Sequence, residues 1–231
     1  MIFHAPPLVM RWLSDLCAWS PAIVLFLMYR HLCPGQSFGA FFKKNFPGKI
    51  RIGLALVSAV CITGIFLLSA WITALWTGVG FTDMFTMGSY PIWLTVLLSL
   101  LAGPTGEECG WRGYLRYEMQ ERFGFLKGNV LLGLVWTFWH TVLWVVDNDF
   151  TGGMELLIYV ISNMVVITAL NVIMGVVLDM ENNLFYAVLI HFCFNLPYCF
   201  LHAGIEFYVV MTVLYAAAAI LAVLIHRKKA V

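Results

Sequence analysis

The sequence predicts an all-α, polytopic transmembrane helix bundle of about seven helices, with a polar site inside the membrane. Of its 231 residues, 62% are hydrophobic and only 11% are charged, and apolar segments recur along the whole chain. Soluble domains carry about 25% charged residues, so this chain lacks the ionic surface that a water-soluble fold needs. The net charge of +1 gives no reason to expect a nucleic-acid partner. The lipid bilayer is therefore the expected surrounding.

Seven apolar segments are long enough to span a bilayer, because a helix needs about 20 apolar residues to cross the hydrocarbon core. They lie near residues 13–32, 53–76, 91–115, 129–146, 155–178, 184–202 and 206–226. Gly103-Pro104 interrupts the third segment. That segment is predicted either as one span or as a split or re-entrant helix, which would bring the count to eight. We expect one integral membrane domain over 1–231, with a motif-bearing core at about 91–202.

The distribution of lysine and arginine predicts how the spans are oriented. Basic residues lie in the first loop, between the third and fourth spans, and at the C-terminus: Lys43, Lys44, Lys49, Arg51, Arg112, Arg116, Arg122, Lys127, Arg227, Lys228 and Lys229. The alternate loops near 77–90, 147–153 and 203–206 contain neither residue type. The C-terminus is therefore predicted to be cytoplasmic and the N-terminus outside, with Arg11 as the exception.

The six cysteines do not indicate a metal or redox site. No pair has the spacing of a zinc ribbon or a CxxC motif. Most lie inside apolar segments, where cysteine acts as a small hydrophobic residue. We expect all six to be reduced.

Ionisable residues lie inside three of the predicted spans, although a central charge costs at least about 2.5–3.5 kcal/mol on insertion scales. They are Glu107, Glu108 and Arg112 in the third span, His140 in the fourth, and His191 in the sixth, where Asn195 adds an amide. With a rise of about 1.5 Å per residue, Glu107, His140, His191 and Asn195 lie roughly 10–16 Å from the inner ends of their spans. The common depth predicts one shared site in the inner half of the membrane.

The spacing of these residues predicts which of them face each other. His191 and Asn195 are four residues apart and share a helix face, as do Trp136 and His140. Glu108 and Arg112 have the same spacing and are predicted to form an ion pair. Glu107 is rotated by about 100° from Glu108, so we expect its carboxylate to be unpaired and available as a general base.

Other interpretations of the same residues remain open. Thr105 to Glu108 fits a helix capping box, although that leaves Glu107 and the histidines unexplained. Asn163 and Asn171 are expected to hydrogen-bond between helices. The polar cluster would also suit the proton relay of a coupled transporter, or a non-catalytic membrane adaptor. Transporters more often show inverted repeats and paired broken helices, whereas Gly103-Pro104 is the one evident break in this sequence.

Three motifs occur in order on separate apolar segments. Residues 107–112 read EExxxR within GEECGWRGYL, residues 136–140 read WxxxH, and residues 191–195 read HxxxN. This arrangement resembles the CAAX protease and bacteriocin-processing family, also called CPBP or Abi, which includes the type II CAAX prenyl endopeptidases. The second motif departs from the FxxxH of the prenyl endopeptidases. We therefore expect a reshaped pocket in which Trp136 contacts the substrate.

The resemblance implies an intramembrane glutamate-type endopeptidase. It implies that Glu107 and His140 hold and activate a water molecule that attacks the scissile carbonyl. His191 and Asn195 would donate hydrogen bonds to the developing oxyanion, where such donors contribute about 3 kcal/mol each. Glu108 and Arg112 would support the first motif as an ion pair.

The expected partner is a membrane-associated peptide or protein substrate, which is either a prenylated CAAX-type protein or a leader peptide. The site is expected to open to the cytoplasm. We expect no metal and no cofactor, because Glu108 is drawn towards Arg112 and the amide of Asn195 is a poor zinc ligand. Zinc held by two carboxylates and two histidines is the alternative.

Overall fold

The computed structural model describes residues 7–88, 90–146, 150 and 152–229, and the side chains of these residues except 7–15, 142–146 and 229. The helices are α1 (Pro7–Leu27), α2 (Tyr29–Leu32), α3 (Phe38–Asn45), α4 (Ile52–Thr77), α5 (Ile92–Leu101), α6 (Pro104–Gly110), α7 (Arg116–Phe123), α8 (Phe125–Val146), α9 (Gly153–Met180), α10 (Phe185–Asn195) and α11 (Ile205–Lys229). Within the described residues the one β-type pairing is an isolated bridge between Phe85 and Leu201. The all-α prediction is confirmed.

Among the residues that the structure describes, three helices are long and apolar enough to cross a membrane by length and composition. They are α4, α9, and α11 over Ile205–Lys228, with mean hydropathies of 2.4, 2.2 and 2.5. Each corresponds to a predicted span. Two shorter apolar helices lie at Leu16–Leu27 and Phe185–Cys199. The chain is an integral membrane protein built as a helix bundle. The predicted outer loop near 147–153 falls mainly outside the described residues.

The third predicted span is a split helix, so one continuous span over 91–115 is wrong. Helix α5 ends at Leu101 and α6 begins at Pro104. Proline lacks an N–H and disfavours helical backbone in the residue before it, which is Gly103. The exposed end of α5 is satisfied from α1, because Trp19 Nε1 donates to the carbonyl of Leu101 at 2.9 Å.

The first and sixth predicted spans also end earlier than expected. Helix α1 ends at Leu27, and a separate turn of helix, α2, follows Met28. Helix α10 ends at Asn195 and gives way to a 3₁₀ turn over Leu196–Cys199. Pro197 lies in that turn, and its missing N–H prevents the α-helical hydrogen-bond pattern from continuing.

Helix α6 packs closely against α1 through two glycines one turn apart. A Cβ added to Gly106 would lie 2.8 Å from Trp19 Cγ, and one added to Gly110 would lie 2.7 Å from the carbonyl oxygen of Pro21. Small residues at this spacing allow two membrane helices to approach to backbone contact. The glycines therefore set the position of the helix that carries Glu107 and Glu108.

A π-helical turn over Trp111–Leu115 connects α6 to α7 without a break in the helix. Such turns contain one residue more per turn than an α-helix and are frequent at functional sites. Arg112 lies on this turn and is buried. Helix α7 ends at Phe123, and the next residue, Gly124, has a φ of 76°. A positive φ favours glycine, and the chain turns there into α8.

The hydrophobic core lies between α4, α9, α10 and α11. Its fully buried side chains include Phe66, Leu170, Tyr186, Phe207 and Tyr215. Helix α8 packs on the other side of α9, where Gly133 lies against Thr168. The polar residues of α6, α8 and α10 meet beside this core.

A separate apolar cleft of about 670 Å³ lies between α8, α9 and α11. Leu126, Val130 and Leu134 form its α8 wall. Trp136 and His140 lie on the opposite face of α8, because two residues along a helix correspond to a rotation of about 200°. The cleft is therefore not part of the polar site.

Candidate active site

Side chains from three helices and the π-helical turn meet in one cluster. They are Glu107 and Glu108 on α6, Arg112 on the turn, Trp136 and His140 on α8, and His191 and Asn195 on α10. Both carboxylates, Arg112, Trp136 and His191 are buried, whereas His140 and Asn195 are partly exposed. The structure brings together the residues that the three motifs singled out.

The carboxylate of Glu108 binds two partners through one oxygen. Oε1 accepts hydrogen bonds from Arg112 Nη1 at 3.0 Å and from His191 Nδ1 at 2.7 Å. The contact with Arg112 is the ion pair that the i,i+4 spacing predicted. The contact with His191 was not predicted, because no spacing rule relates residues on different helices.

Arg112 is held in place by a chain of amides that reaches across to α8. Its Nε donates to Asn171 Oδ1 at 3.0 Å, and Asn171 Nδ2 donates to the carbonyl of Asn129 at 2.5 Å. Asn171 thus hydrogen-bonds between helices, as predicted. Asn163 Nδ2 instead donates a hydrogen bond to the carbonyl of Tyr159 at 2.8 Å, within the same helix, α9.

Glu107 is hydrogen-bonded, so the prediction that its carboxylate is unpaired is wrong. Its Oε2 accepts a hydrogen bond from Trp136 Nε1 at 2.6 Å. From the sequence, Trp136 was expected to replace an aromatic Phe and to contact the substrate. The indole N–H, which Phe lacks, was the feature that could have predicted this contact.

Three polar atoms of the cluster converge on the space beside Gly103. A Cβ added to Gly103 would lie 3.2 Å from Glu107 Oε1, 3.2 Å from Asn195 Nδ2 and 3.3 Å from His191 Nε2. These contacts are tighter than ordinary packing, so only glycine leaves the space open without a shift. Gly103 is the residue at the helix break, and it was predicted only as part of that break, not as a residue of the site.

His140 is attached to the cluster through Trp136. Its Nδ1 lies 2.8 Å from the carbonyl oxygen of Trp136, and its ring meets the Trp136 ring edge-on at a centroid distance of 5.4 Å. A carbonyl oxygen only accepts hydrogen bonds, so Nδ1 carries the proton. In the neutral imidazole, Nε2 is then the basic nitrogen.

The capping box at Thr105 is not formed. Thr105 Oγ1 donates back to the carbonyl of Leu101 at 3.2 Å, and Gly103 occupies the N-cap position. Glu108 turns away from the helix end towards Arg112 and His191. The guanidinium of Arg112 is a charged donor and provides a stronger hydrogen bond than a backbone N–H does.

The positions of these side chains bear on whether the site could bind zinc instead of working without a metal. Over the residues with described side chains, no three or more His, Cys, Asp or Glu groups lie together as metal ligands would. Two of the candidate ligand atoms, Glu108 Oε1 and His191 Nδ1, are hydrogen-bonded to each other. All six cysteines are free thiols, as expected.

Comparison with known proteins agrees with the motifs. Residues 88–197 match the family described as Type II CAAX prenyl endopeptidase Rce1-like. A protein of Methanococcus maripaludis named CAAX prenyl protease 2 is 32% identical over 111 residues, which is 44% of this chain and 38% of that protein. The chain thus matches well under half of the length of this relative. The family match confirms the resemblance: the matched segment contains all three motifs, and over residues 88–197 this chain is similar to the Rce1-like type II CAAX prenyl endopeptidases.

Proposed function

We propose that this protein is an intramembrane endopeptidase that hydrolyses a peptide bond of a membrane-associated substrate. The observation that carries the proposal is the convergence of Glu107 Oε1, His191 Nε2 and Asn195 Nδ2 beside Gly103. A carboxylate oxygen and two nitrogens around one small space suit a reaction in which water loses a proton while a carbonyl oxygen gains negative charge.

Glu107 and His140 activate the water in this proposal. Glu107 is the general base, and its Oε1 accepts a proton from water at the convergence point. His140 holds the water through its basic nitrogen, because Nδ1 is bound to the backbone of Trp136. The water oxygen then bonds to the scissile carbonyl carbon and forms a tetrahedral intermediate.

His191 and Asn195 stabilise the oxyanion of that intermediate. The amide Nδ2 of Asn195 donates in any protonation state. His191 Nε2 donates to the same oxygen when it carries a hydrogen, while Glu108 Oε1 holds the other ring nitrogen, Nδ1, at 2.7 Å.

Collapse of the intermediate breaks the C–N bond. The departing nitrogen takes the proton that Glu107 accepted from water, so the carboxylate is regenerated and no external acid is needed. Glu108 and Arg112 keep their pairing throughout. The reaction consumes one water molecule, releases a new carboxylate and a new amine, and requires no metal in this proposal.

The substrate class follows from the location of the site. A site within a helix bundle in the bilayer is reached by chains that are themselves held at the membrane. A prenylated CAAX-type protein is one such substrate, as the name of the Methanococcus maripaludis relative suggests, and a leader peptide is the other. The site opens towards the cytoplasmic side, where the basic residues cluster.

Peptide cleavage by the purified protein in lipid nanodiscs tests the proposal. The cleavage rates of fluorogenic peptides with and without a C-terminal prenyl group are compared. The masses of the products formed in H₂¹⁸O are determined by mass spectrometry. We expect one ¹⁸O atom in the new carboxylate and loss of cleavage in Glu107→Gln and His140→Ala. Glu121→Gln, an exposed residue of α7, is the control that keeps full activity.

Cleavage that persists in purified Glu107→Gln would contradict the assignment of the base. Absence of cleavage in the wild type with either peptide class, together with retained binding of a membrane partner, would favour the adaptor interpretation. Proton-coupled uptake by vesicles in the absence of cleavage would favour the transporter.

A further inference from the structure

We infer that Trp136 is a positioning residue for Glu107, holding one carboxylate oxygen so that the other faces the reaction space. This inference assigns to Trp136 a role other than the substrate contact expected from its sequence position. The kinetic effect that we expect from this contact rests on the proposed function. The contact itself can be tested whether or not the protein is active.

The geometry separates the two oxygens of Glu107. Oε2 accepts the indole N–H of Trp136 at 2.6 Å. Oε1 lies on the other side, 3.2 Å from where a Cβ of Gly103 would be and beside the nitrogens of His191 and Asn195. A carboxylate with one anchored oxygen cannot rotate freely about its terminal torsion, which is otherwise broad.

The indole is itself immobilised by its neighbours. The guanidinium carbon of Arg112 lies 3.7 Å from the centroid of the Trp136 ring, and the His191 ring meets it edge-on at 5.2 Å. Only 2% of the Trp136 surface is exposed. These contacts leave almost none of the side chain for a substrate, and they hold the N–H in a fixed direction.

Trp136 therefore connects the parts of the cluster. Its N–H binds the proposed base, its face lies under Arg112, its edge contacts His191, and its carbonyl binds the ring of His140. A phenylalanine at this position would keep one aromatic ring but lose the N–H together with part of the indole ring system. Trp136→Phe therefore tests the hydrogen bond only against a control variant that loses the same ring atoms.

Trp111 provides a matched control. Its indole N–H is buried, and the described part of the chain offers it no hydrogen-bond partner. Its ring packs on Trp139 at a centroid distance of 5.9 Å. Trp111→Phe thus removes a buried indole N–H from the same region without removing a hydrogen bond to the site.

The first measurement is kinetic. We expect Trp136→Phe to lower kcat by about 10- to 100-fold, the range expected for a lost hydrogen bond to a charged group, with KM changed less than about twofold. Trp111→Phe should retain the wild-type kcat. Thermal unfolding of both variants shows whether they remain folded. An unchanged kcat in Trp136→Phe would overturn the inference.

The second measurement does not depend on activity. In protein labelled with ¹⁵N-tryptophan, the indole N–H resonance that disappears in Trp136→Phe is that of Trp136. A short hydrogen bond to a carboxylate shifts this resonance downfield, and we expect Glu107→Gln to move it upfield while the Trp111 resonance stays in place. A Trp136 resonance whose chemical shift is the same in the wild type and in Glu107→Gln would overturn the inference. If the wild type cleaves no peptide, the proposed protease fails, and the resonance still decides whether Trp136 holds Glu107.

Discussion

Oε1 of Glu108 lies 2.7 Å from Nδ1 of His191, although the two residues are 83 positions apart in the chain. The same oxygen accepts a hydrogen bond from Arg112, and all three side chains are buried. Glu108 thus links the first motif to the third, and it orients the ring whose other nitrogen faces Gly103. This is a wider role than the ion pair with Arg112 that the spacing predicted.

Replacing Glu108 should therefore destabilise the fold more than replacing a surface carboxylate. Glu108→Gln leaves the buried Arg112 without its counter-charge, and breaking a buried pair costs about 3–5 kcal/mol. Unfolding in mixed detergent micelles measures the change. Glu121→Gln, which is exposed on α7, should change the free energy of unfolding by less than about 0.5 kcal/mol. Equal stabilities of the two variants would contradict this role of Glu108.

Gly103→Ala should impair catalysis more than folding. The added methyl group enters the space on which three polar atoms converge, and a misplacement of about 1 Å at a reacting centre can cost about 100-fold in rate. The backbone φ at Gly103 is negative, at −135°, and the ends of the neighbouring side chains can shift, so we expect a destabilisation near the lower end of the about 1–3 kcal/mol that overpacking costs. Kinetics and thermal unfolding in the same micelles separate the two effects. Wild-type activity in Gly103→Ala would show that the reaction takes place elsewhere.

The contact between α1 and α6 should depend on its glycines. Gly106→Ala and Gly110→Ala place a methyl group within 3 Å of atoms of α1, and overpacking of this kind costs about 1–3 kcal/mol. Gly64→Ala is the control, since a Cβ at Gly64 in α4 meets no atom within 4 Å. The free energy of unfolding of each variant is measured. If Gly110→Ala proves as stable as Gly64→Ala, the close approach of the two helices is not present in the membrane.

Cleavage is expected to survive metal removal. Protein washed with a chelator should keep its activity and contain far less than one zinc ion per chain by elemental analysis. We expect this because Glu108 Oε1 and His191 Nδ1, two of the candidate zinc ligands, are hydrogen-bonded to each other. Stoichiometric zinc whose removal abolishes cleavage and whose return restores it would establish the zinc alternative.

The predicted orientation can be tested with single cysteines in a background that lacks the six native ones. Lys228→Cys at the end of α11 should react with a membrane-impermeant maleimide in inside-out vesicles. Thr82→Cys, in the loop after α4, should react in right-side-out vesicles. Both positions are exposed. The reverse labelling pattern would place the C-terminus outside, against the distribution of basic residues.

The sequence by itself determined the membrane class, the helical fold and which polar residues make up the candidate site. Apolar length and low charge require helices in a bilayer, because hydrocarbon leaves backbone groups no other partners. The positions of α4, α9 and α11, and the break at Gly103-Pro104, follow from apolar length and from the chemistry of proline. The i,i+4 pair of Glu108 and Arg112 follows from helix geometry alone.

Only the tertiary structure decided how residues on different helices share their hydrogen bonds. The contact of Glu107 with Trp136, the contact of Glu108 with His191, and the position of Gly103 beside three polar atoms all join α6 to α8 or α10. Helix periodicity gives the direction of a side chain about its own axis, but the rotation of one helix against the next is set by packing, here by Gly106 and Gly110 against α1. For that reason the sequence identified the polar residues of the candidate site and the pair within one helix, but neither Gly103 nor the hydrogen bonds between helices.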